Sequence, residues 1–198
     1  DPVTILTDAV KNAALDEAAT MLGYLSAHSG YSSIGGNESS SARQGLAWDA
    51  ATSAVVAMNG AESLAMPAGS TVSWLGLWSA VTGGTFRGML PNSGGAAAQA
   101  FTAATTDTLT CPGHGYSNGQ RVTILPGVSG AVPTGLTIGA IYWVINAATD
   151  TLQLSTTQGG SAVDITAAGA GLLQRIRVET FDAAGTINVN ALTLSLAG

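Results

Sequence analysis

The side chains that could do covalent chemistry in this sequence are few. The chain holds one cysteine, Cys111, and two histidines, His28 and His114. Cys111 and His114 stand three positions apart, and a thiol nucleophile and its general base need such proximity. A simpler interpretation is that Cys111 ends a strand as a small buried apolar residue and that His114 belongs to a turn. We favour this second interpretation, so the sequence predicts no catalytic residue and a protein that is not an enzyme.

Ligands for metals and cofactors are equally sparse. The cysteine and the histidines form no zinc set at the usual ligand spacing, and the sequence has no phosphate-binding loop and no nucleophile elbow. The carboxylates stand mostly beside turn residues, where Asp bonds to nearby backbone. Six of the twelve are the candidate ligands: Glu38, Asp49, Asp107, Asp150, Asp164 and Asp182. A calcium site built from such loops stays open as an alternative, but the sequence predicts no cofactor and no metal.

Aromatic residues raise a different possibility, the binding of sugars. Four tryptophans and four tyrosines are present, and exposed aromatic rings can stack on sugar rings. Trp74, Trp78 and Trp143 lie in apolar segments, however, which favours places in a core, and only Trp48 is ambiguous. A carbohydrate-binding surface is therefore the weaker interpretation of these residues.

The composition indicates a protein that associates. Charged residues make up 9% of the 198 residues, far below the roughly 25% of an average soluble domain. Dispersed charges normally keep a free monomer from associating. We therefore expect much of the surface to be buried against neighbouring subunits, with a monomer solubilised by hydroxyl and amide groups as the alternative.

The charge balance argues against two classes of partner. The formal net charge is -6, and Lys11 is the single lysine. Nucleic-acid binding needs clustered Lys and Arg, so no nucleic-acid partner is predicted. No apolar run approaches the roughly 20 residues of a membrane-spanning helix, and the first residues lack the pattern of a signal peptide. These features predict a soluble chain made in a cytoplasm, without membrane insertion.

One helix is predicted, over Thr4 to Thr20. Thr7 is placed to cap it, and Asp8 suits the positive end of the helix dipole. Its apolar residues fall near one face, which a helix of this length must bury against a partner surface. We predict this face as a partner interface made of Leu6, Val10, Ala14 and Met21.

The rest of the chain has the pattern of short strands. The predicted strands in the first half are Leu46–Asp49, Val55–Met58, Ser63–Met66, Val72–Trp78 and Thr85–Leu90. Thr82-Gly83-Gly84 supplies a turn between the last two, and Asn59-Gly60 is a strong hairpin signal. Near the C-terminus the apolar alternation changes phase after Val189, which requires a bulge or bend near Asn190-Ala191.

Residues 99–176 form a stretch of different character. The segment Thr105–Leu109 is echoed by Ala148–Leu152, and each precedes or opens a predicted strand. Ile141–Ile145 is β-branched or aromatic at every position, which predicts an inner strand of a small closed sheet. A turn over Gly115–Gly119 leads into another predicted strand, Arg121–Leu125.

Two of these regions resemble known phage proteins. Residues 70–90, preceded by the segment Tyr24–Trp48, resemble the minor tail and virion structural proteins of long-tailed phages. Within residues 99–176, the segments that begin at His114, Leu136 and Thr151 resemble a module that recurs in phage tail and fibre proteins. That module is similar to a small β-barrel found as a half-domain in ubiquitin-activating enzymes, which implies a barrel and no activity.

The resemblances imply a split domain. In the tail-protein family, a segment like Thr85–Leu90 is often followed quickly by one like Glu179–Val189, so the barrel would be an insertion. Insertions at exposed hairpin tips are tolerated when their own ends lie close together. The predicted fold is mainly β: an N-terminal helix (1–20), an antiparallel β-sandwich (21–98 and 177–198) and an inserted small β-barrel (99–176).

The function implied is assembly. We expect a non-enzymatic virion protein, a minor tail or tail-tip component, whose partners are copies of itself and other phage structural proteins. A capsid decoration or head-fibre protein is the nearest alternative. A tail module that binds a receptor or a host surface glycan is the alternative from another class.

Overall fold

The structure is a computed structural model that describes residues 6–127 and 130–196. It is mainly β, with one N-terminal helix, as the sequence predicts. In chain order the elements are α1 (Asp8–Thr20), β1 (Tyr24–His28), β2 (Gln44–Gly45), β3 (Val55–Ala57), β4 (Glu62–Met66), β5 (Ser70–Val72), β6 (Trp74–Trp78), β7 (Phe86–Pro91), β8 (Gln99–Ala103), β9 (Leu109–Thr110), β10 (Arg121–Leu125), β11 (Ile141–Ile145), β12 (Thr151–Ser155), β13 (Gly169–Arg175), β14 (Glu179–Phe181), β15 (Gly185–Val189) and β16 (Thr193–Ser195).

The chain divides into two compact units. The first consists of residues 1–90 and 179–198, and the second of residues 91–178. The sequence places the limits of the inserted barrel at residues 99 and 176, inside the second unit. At the neck of this unit the Arg177 amide donates a hydrogen bond of 2.7 Å to the Asn92 carbonyl. The two ends of the second unit therefore lie side by side.

The first unit is an antiparallel sandwich. Its four-stranded sheet has the order β2-β1-β6-β7, and three two-stranded ribbons pair β5 with β14, β4 with β15, and β3 with β16. The core lies between apolar residues of β1 and β6, such as Leu25 and Leu77, and apolar residues of β4 and β15, such as Leu64 and Ile187. Alternation along each strand turns these side chains to the same side.

Several strand predictions in this unit need correction. The predicted strand Leu46–Asp49 is absent, because the pairing of β2 with β1 ends at Gly45 and only Trp48 makes a further bridge. The predicted strand Val72–Trp78 breaks at Ser73, whose hydroxyl donates to the Ser29 carbonyl at 2.8 Å. Asn59-Gly60 does not close a hairpin, because β3 and β4 pair with C-terminal strands rather than with each other.

Other local predictions are confirmed. Gly83 and Gly84 have φ angles of 60° and 69° in the turn between β6 and β7. The phase change after Val189 separates β15 from β16, which pair with different partners. The turn residues and the apolar alternation were thus sufficient signals at these positions.

The second unit is a closed barrel of six antiparallel strands, in the order β10-β11-β12-β9-β8-β13. Its core alternates inward along the strands and includes Val122, Tyr142, Val144, Leu152 and Leu173. The two echoed segments lead into β9 and β12, which pair through Thr110 with Thr151 and Leu109 with Leu152. The predicted closed sheet, with Ile141–Ile145 as an inner strand, is confirmed.

The two units should be separable, because each has its own apolar core and the ends of the barrel unit are adjacent. Replacing residues 93–176 by a short Gly-Ser joint should leave a soluble chain with β-sheet circular dichroism and cooperative thermal unfolding. Since loop closure depends only weakly on loop length, the free energy of unfolding of the first unit should change by no more than about 1 kcal/mol. Residues 91–178 expressed alone serve as the matched control and should also unfold cooperatively. An insoluble or unstructured shortened chain would show that the first unit needs the barrel to fold.

Candidate functional site

The predicted partner interface lies on α1, and the structure places it on the solvent-facing side of that helix. Leu6 is 47% exposed, Val10 is 51% exposed and Met21 is 40% exposed, and Ala14 is also exposed. Leu6 and Met21 flank the helix rather than lying within it, because α1 begins at Asp8 and ends at Thr20. We name Leu6, Val10, Ala14 and Met21 the outer helix face.

The helix bounds differ from the prediction at the N-terminal end. Thr4 and Ile5 lie outside the described residues, and Leu6 is not helical. Thr7 is the N-cap residue, as predicted, but its side chain makes no capping hydrogen bond. Its carbonyl accepts the amides of Val10 and Lys11 at 3.0 Å each, so the helix starts through backbone bonds alone.

The opposite side of α1 attaches the helix to its own chain. Leu15 and Ala19 are buried and pack with Ala51 and Val56. Helix side chains also hold the loop before β3, because Asp16 accepts a hydrogen bond from the Ala51 amide at 2.7 Å. At 100° per residue, Leu15 and Ala19 point away from the outer helix face. The helix therefore packs against its own chain on one side only.

The side chains that sequence reasoning missed lie on the outer side of the four-stranded sheet. Ser26, His28, Trp74 and Trp78 project from β1 and β6 to the face away from the core, and we call them the polar-aromatic layer. All four are buried, with Ser26, His28 and Trp74 at 0% exposure. Ser26 and His28 alternate on one strand, and Gly76 separates the two tryptophans. Those spacings were the available signal for a packed second face.

A continuous hydrogen-bond chain runs through this layer. The Trp78 indole donates to Ser26 Oγ at 2.8 Å, and Ser26 Oγ lies 2.6 Å from His28 Nε2. His28 Nδ1 lies 2.7 Å from the Gly36 carbonyl, and a carbonyl only accepts. Nδ1 therefore carries the ring proton, and Nε2 accepts the Ser26 hydroxyl. Every ring nitrogen of this neutral histidine has a partner.

The loop over residues 29–43 covers the layer and closes it to solvent. Arg43 lies 3.4 Å above the Trp78 ring and forms a two-bond ion pair with Glu38, at 3.0 and 3.1 Å. The same guanidinium donates to the carbonyls of Ala80 and Gly83. It thus ties this loop to the turn between β6 and β7, in a geometry that Lys could not supply.

Two glycines make this close packing possible. A Cβ at Gly76 would collide with the His28 imidazole and with Ser26 Oγ, its cross-strand neighbour. Gly35 has a φ angle of 79° and lies against the Trp78 and Phe86 rings. Ser26 and His28 have the distance of a nucleophile and its base, yet both are buried at 0% exposure. In this arrangement the pair fixes a loop rather than meeting a substrate.

In the barrel unit, Cys111 and His114 do not form a nucleophile and base pair. Cys111 is buried at 0% exposure, its thiol faces Gln99 Oε1 at 3.7 Å, and burial raises the pKa of the thiol. His114 Nδ1 accepts the Tyr116 amide at 2.8 Å, and Nε2 faces the Thr151 carbonyl at 3.3 Å. Both ring nitrogens are thus engaged by backbone, and His114 lies in the loop that follows the turn at residues 112–113.

The predicted core positions of the tryptophans are confirmed in part. Trp74 and Trp78 are buried, but placing Trp143 in a core was wrong. Trp143 is half-buried on the outer barrel face, where Arg121 lies 4.5 Å from its ring centre, because alternation turns Tyr142 and Val144 inward instead.

Within residues 6–127 and 130–196, no three His, Cys, Asp or Glu side chains group to hold a metal ion. In the same ranges no helix has both the length and the apolar character to cross a bilayer.

Comparisons with protein families, curated proteins and solved structures gave no match to this chain.

The buried His28 should make stability depend on pH. Burial lowers the pKa of His28 below its ordinary 6.5, although the Gly36 hydrogen bond and Glu38 oppose the shift. The unfolded chain therefore binds more protons than the folded one between the folded pKa and 6.5, and the free energy of unfolding should fall as the pH drops below 6.5. Urea unfolding at a series of pH values between about 7.5 and 5 measures this slope.

His28→Gln should remove the His28 share of that slope, and should itself destabilise the fold by about 1–3 kcal/mol because buried partners lose their hydrogen bonds. His114→Gln is the matched control and should retain the wild-type share from His28. Equal slopes for wild type and His28→Gln would contradict the assignment.

Proposed function

We propose that this chain is a non-enzymatic structural component of a bacteriophage virion, a minor tail or tail-tip protein that acts through protein-protein interfaces. The observation that carries the proposal is the outer helix face. It presents Leu6, Val10 and Met21 at 40% exposure or more, while the opposite side of the same helix is packed on the chain. A face of this kind is available to another subunit.

The surface composition supports association. Charged residues are 9% of the chain, so few charges oppose contact between copies or with neighbouring proteins. Another large apolar side chain, Ile34, is 83% exposed on the first unit. The resemblance of residues 70–90 to minor tail proteins supplies the setting, a virion, and the expected partners: copies of this chain and other phage structural proteins.

The absence of an accessible catalytic pair among the named candidates agrees with a mechanical role. Ser26 and His28 are covered, and His114 is engaged by backbone groups. The polar-aromatic layer instead fixes the loop over residues 29–43 on its sheet. A sandwich with a helix packed on it through one side suits a subunit that makes contacts with its neighbours.

Location in the particle tests the proposal. Mass spectrometry of purified virions from the phage that encodes this sequence should detect the chain, and immunogold electron microscopy should place it on the tail. Gold on the capsid would favour the decoration or head-fibre alternative. Absence of the chain from purified virions would reject the proposal.

Val10→Asp tests the outer helix face. The charge should prevent incorporation into particles, because burying an unpaired carboxylate in an apolar contact is strongly unfavourable. Val10 lies near the helix N-terminus and is half exposed, so the free energy of unfolding of the isolated chain should change by no more than about 0.5 kcal/mol. Particle composition and thermal melting measure the two effects.

Val81→Asp is the matched control, since Val81 is 47% exposed but lies in the turn after β6. It should leave incorporation unchanged if the helix is the docking element. Unfolding of isolated Val10→Asp would show that the outer helix face contributes to the chain's own fold. Normal incorporation of a folded Val10→Asp chain would show that this face does not dock.

A further inference from the structure

The barrel unit carries an open pocket at one end. It has a volume of about 190 Å³, below the roughly 300–1,000 Å³ of pockets for drug-sized ligands, so it suits a ligand of about one ring. The lining comes from three separate parts of the unit: the segment leading into β8, the turn before β10 and the end of β13. The lining residues are Ala96, Ala97, Gln99, His114, Gly115, Tyr116, Gln120 and Arg175.

The rings that line this pocket are held in place. The His114 and Tyr116 rings stack at 5.5 Å with an angle of 17° between them. His114 is fixed by its two ring nitrogens, and the Tyr116 hydroxyl donates to the Leu173 carbonyl at 3.1 Å. Gln99 is held as well, because its side-chain amide donates a hydrogen bond to the His114 carbonyl at 3.3 Å. A preorganised wall of this kind loses little entropy when a ligand binds.

Two donors at the pocket are not used within the chain. Arg175 is exposed, and within the described part of the chain its guanidinium has no hydrogen bond or ion pair. Gln120 Oε1 accepts a hydrogen bond from the Ser117 amide at 3.1 Å, which leaves the NH₂ group of Gln120 to bind a ligand. A guanidinium and an amide together match the oxygens of a carboxylate.

The electrostatics of the pocket favour a single negative charge. Burial, with the nearby Cys111 thiol as a second cause, raises the pKa of Tyr116 to about 12, so the phenol is neutral near pH 7. No acidic side chain is among the described lining residues. Among the lining residues, Arg175 thus carries the formal charge. One arginine suits a ligand with a single negative charge better than a multiply charged ligand.

We infer that this pocket binds a carboxylate-bearing sugar residue, with the carboxylate on Arg175 and Gln120 and the ring against His114, Tyr116 and the alanine methyl groups. The hydroxyls of such a ring can accept hydrogen bonds from the donors that Arg175 and Gln120 keep free. The open mouth leaves room for a glycosidic linkage. This inference does not depend on a role in assembly.

Titration of the intact, ¹⁵N-labelled chain with sodium glucuronate tests the inference by NMR. A ligand of this size should bind with a Kd of about 1 mM, with shifts centred on Gln120 and Arg175. Glucose lacks the carboxylate, and benzoate keeps it on a ring without hydroxyls. Both should bind about tenfold more weakly or worse, because each loses part of the recognition. Methyl glucuronide should bind like glucuronate, which separates a linked sugar residue from a ligand that requires a free anomeric hydroxyl.

Substitutions locate the site. Arg175→Gln removes an exposed charge whose guanidinium makes no hydrogen bond or ion pair within the described residues, and it should reduce glucuronate affinity about tenfold or more. Gln120→Glu keeps an oxygen for the Ser117 amide but places a negative charge beside the carboxylate, and should also reduce binding. Arg87→Gln makes the same charge change at an exposed position of the first unit and should bind like wild type.

Several results would overturn the inference. They are no shift with glucuronate up to about 50 mM, benzoate binding as tightly as glucuronate, or equal affinity for wild type and Arg175→Gln. None of these results bears on whether the chain is present in virions, so the inference and the proposed assembly role stand or fall separately.

Discussion

The nested pairing of C-terminal strands with strands from the first half of the chain is the interaction on which the first unit depends. β14, β15 and β16 pair in reverse order with β5, β4 and β3. Without them Leu64 and Met66 would lose the partners that close the core, and Val56 would lose Leu194 on the side where α1 packs. Contacts of such long sequence separation form late and slowly in folding. A self-contained barrel between the pairing strands lessens this problem, because its ends meet at Asn92 and Arg177.

Sequence reasoning succeeded where local chemistry decides the structure. The closed sheet was predicted from the β-branched run at Ile141–Ile145, and the barrel from the resemblance of residues 99–176 to a phage module; the two echoed segments lead into neighbouring strands. The Gly83-Gly84 turn followed from the positive φ that glycine tolerates. The 3.6-residue periodicity grouped the residues of the outer helix face, but it did not reveal that Leu15 and Ala19 would be the buried side, and the role of the outer helix face as an interface stays a prediction.

Sequence reasoning failed where residues distant in the sequence decide which strands pair or which side chains share a face. Asn59-Gly60 has the composition of a hairpin turn, but β3 and β4 gain more from C-terminal partners than from each other. Trp143 is as apolar as its neighbours, and only the inward phase of β11 decides that it faces out. The barrel pocket joins Gln99, Gln120 and Arg175, whose spacing in the sequence carries no common signal. The polar-aromatic layer had a signal in the alternation of Ser26 and His28, but no local pattern shows which loop covers it.

Several of the chain's few charged side chains fix loops in place. Arg43 is one of them, since its guanidinium contacts a ring, a carboxylate and two carbonyls. Asp107 and Asp150 show it again in the barrel, where each accepts a backbone amide across the unit, from Ile165 and Gly113. Carboxylates used in this way organise loops.

The attachment of α1 then explains why its free side matters. Leu15 and Ala19 alone among its described residues are buried, and burying one Leu side chain contributes only about 2 kcal/mol. The rest of the attachment comes from polar bonds, with Asn12 and Asp16 accepting the amides of Ala54 and Ala51 at 2.8 and 2.7 Å. Such bonds fix the direction of the helix more than they add stability, because each replaces a bond to water. A helix that is oriented by polar contacts and still presents Leu6, Val10 and Met21 to solvent is the feature on which the proposed docking role rests.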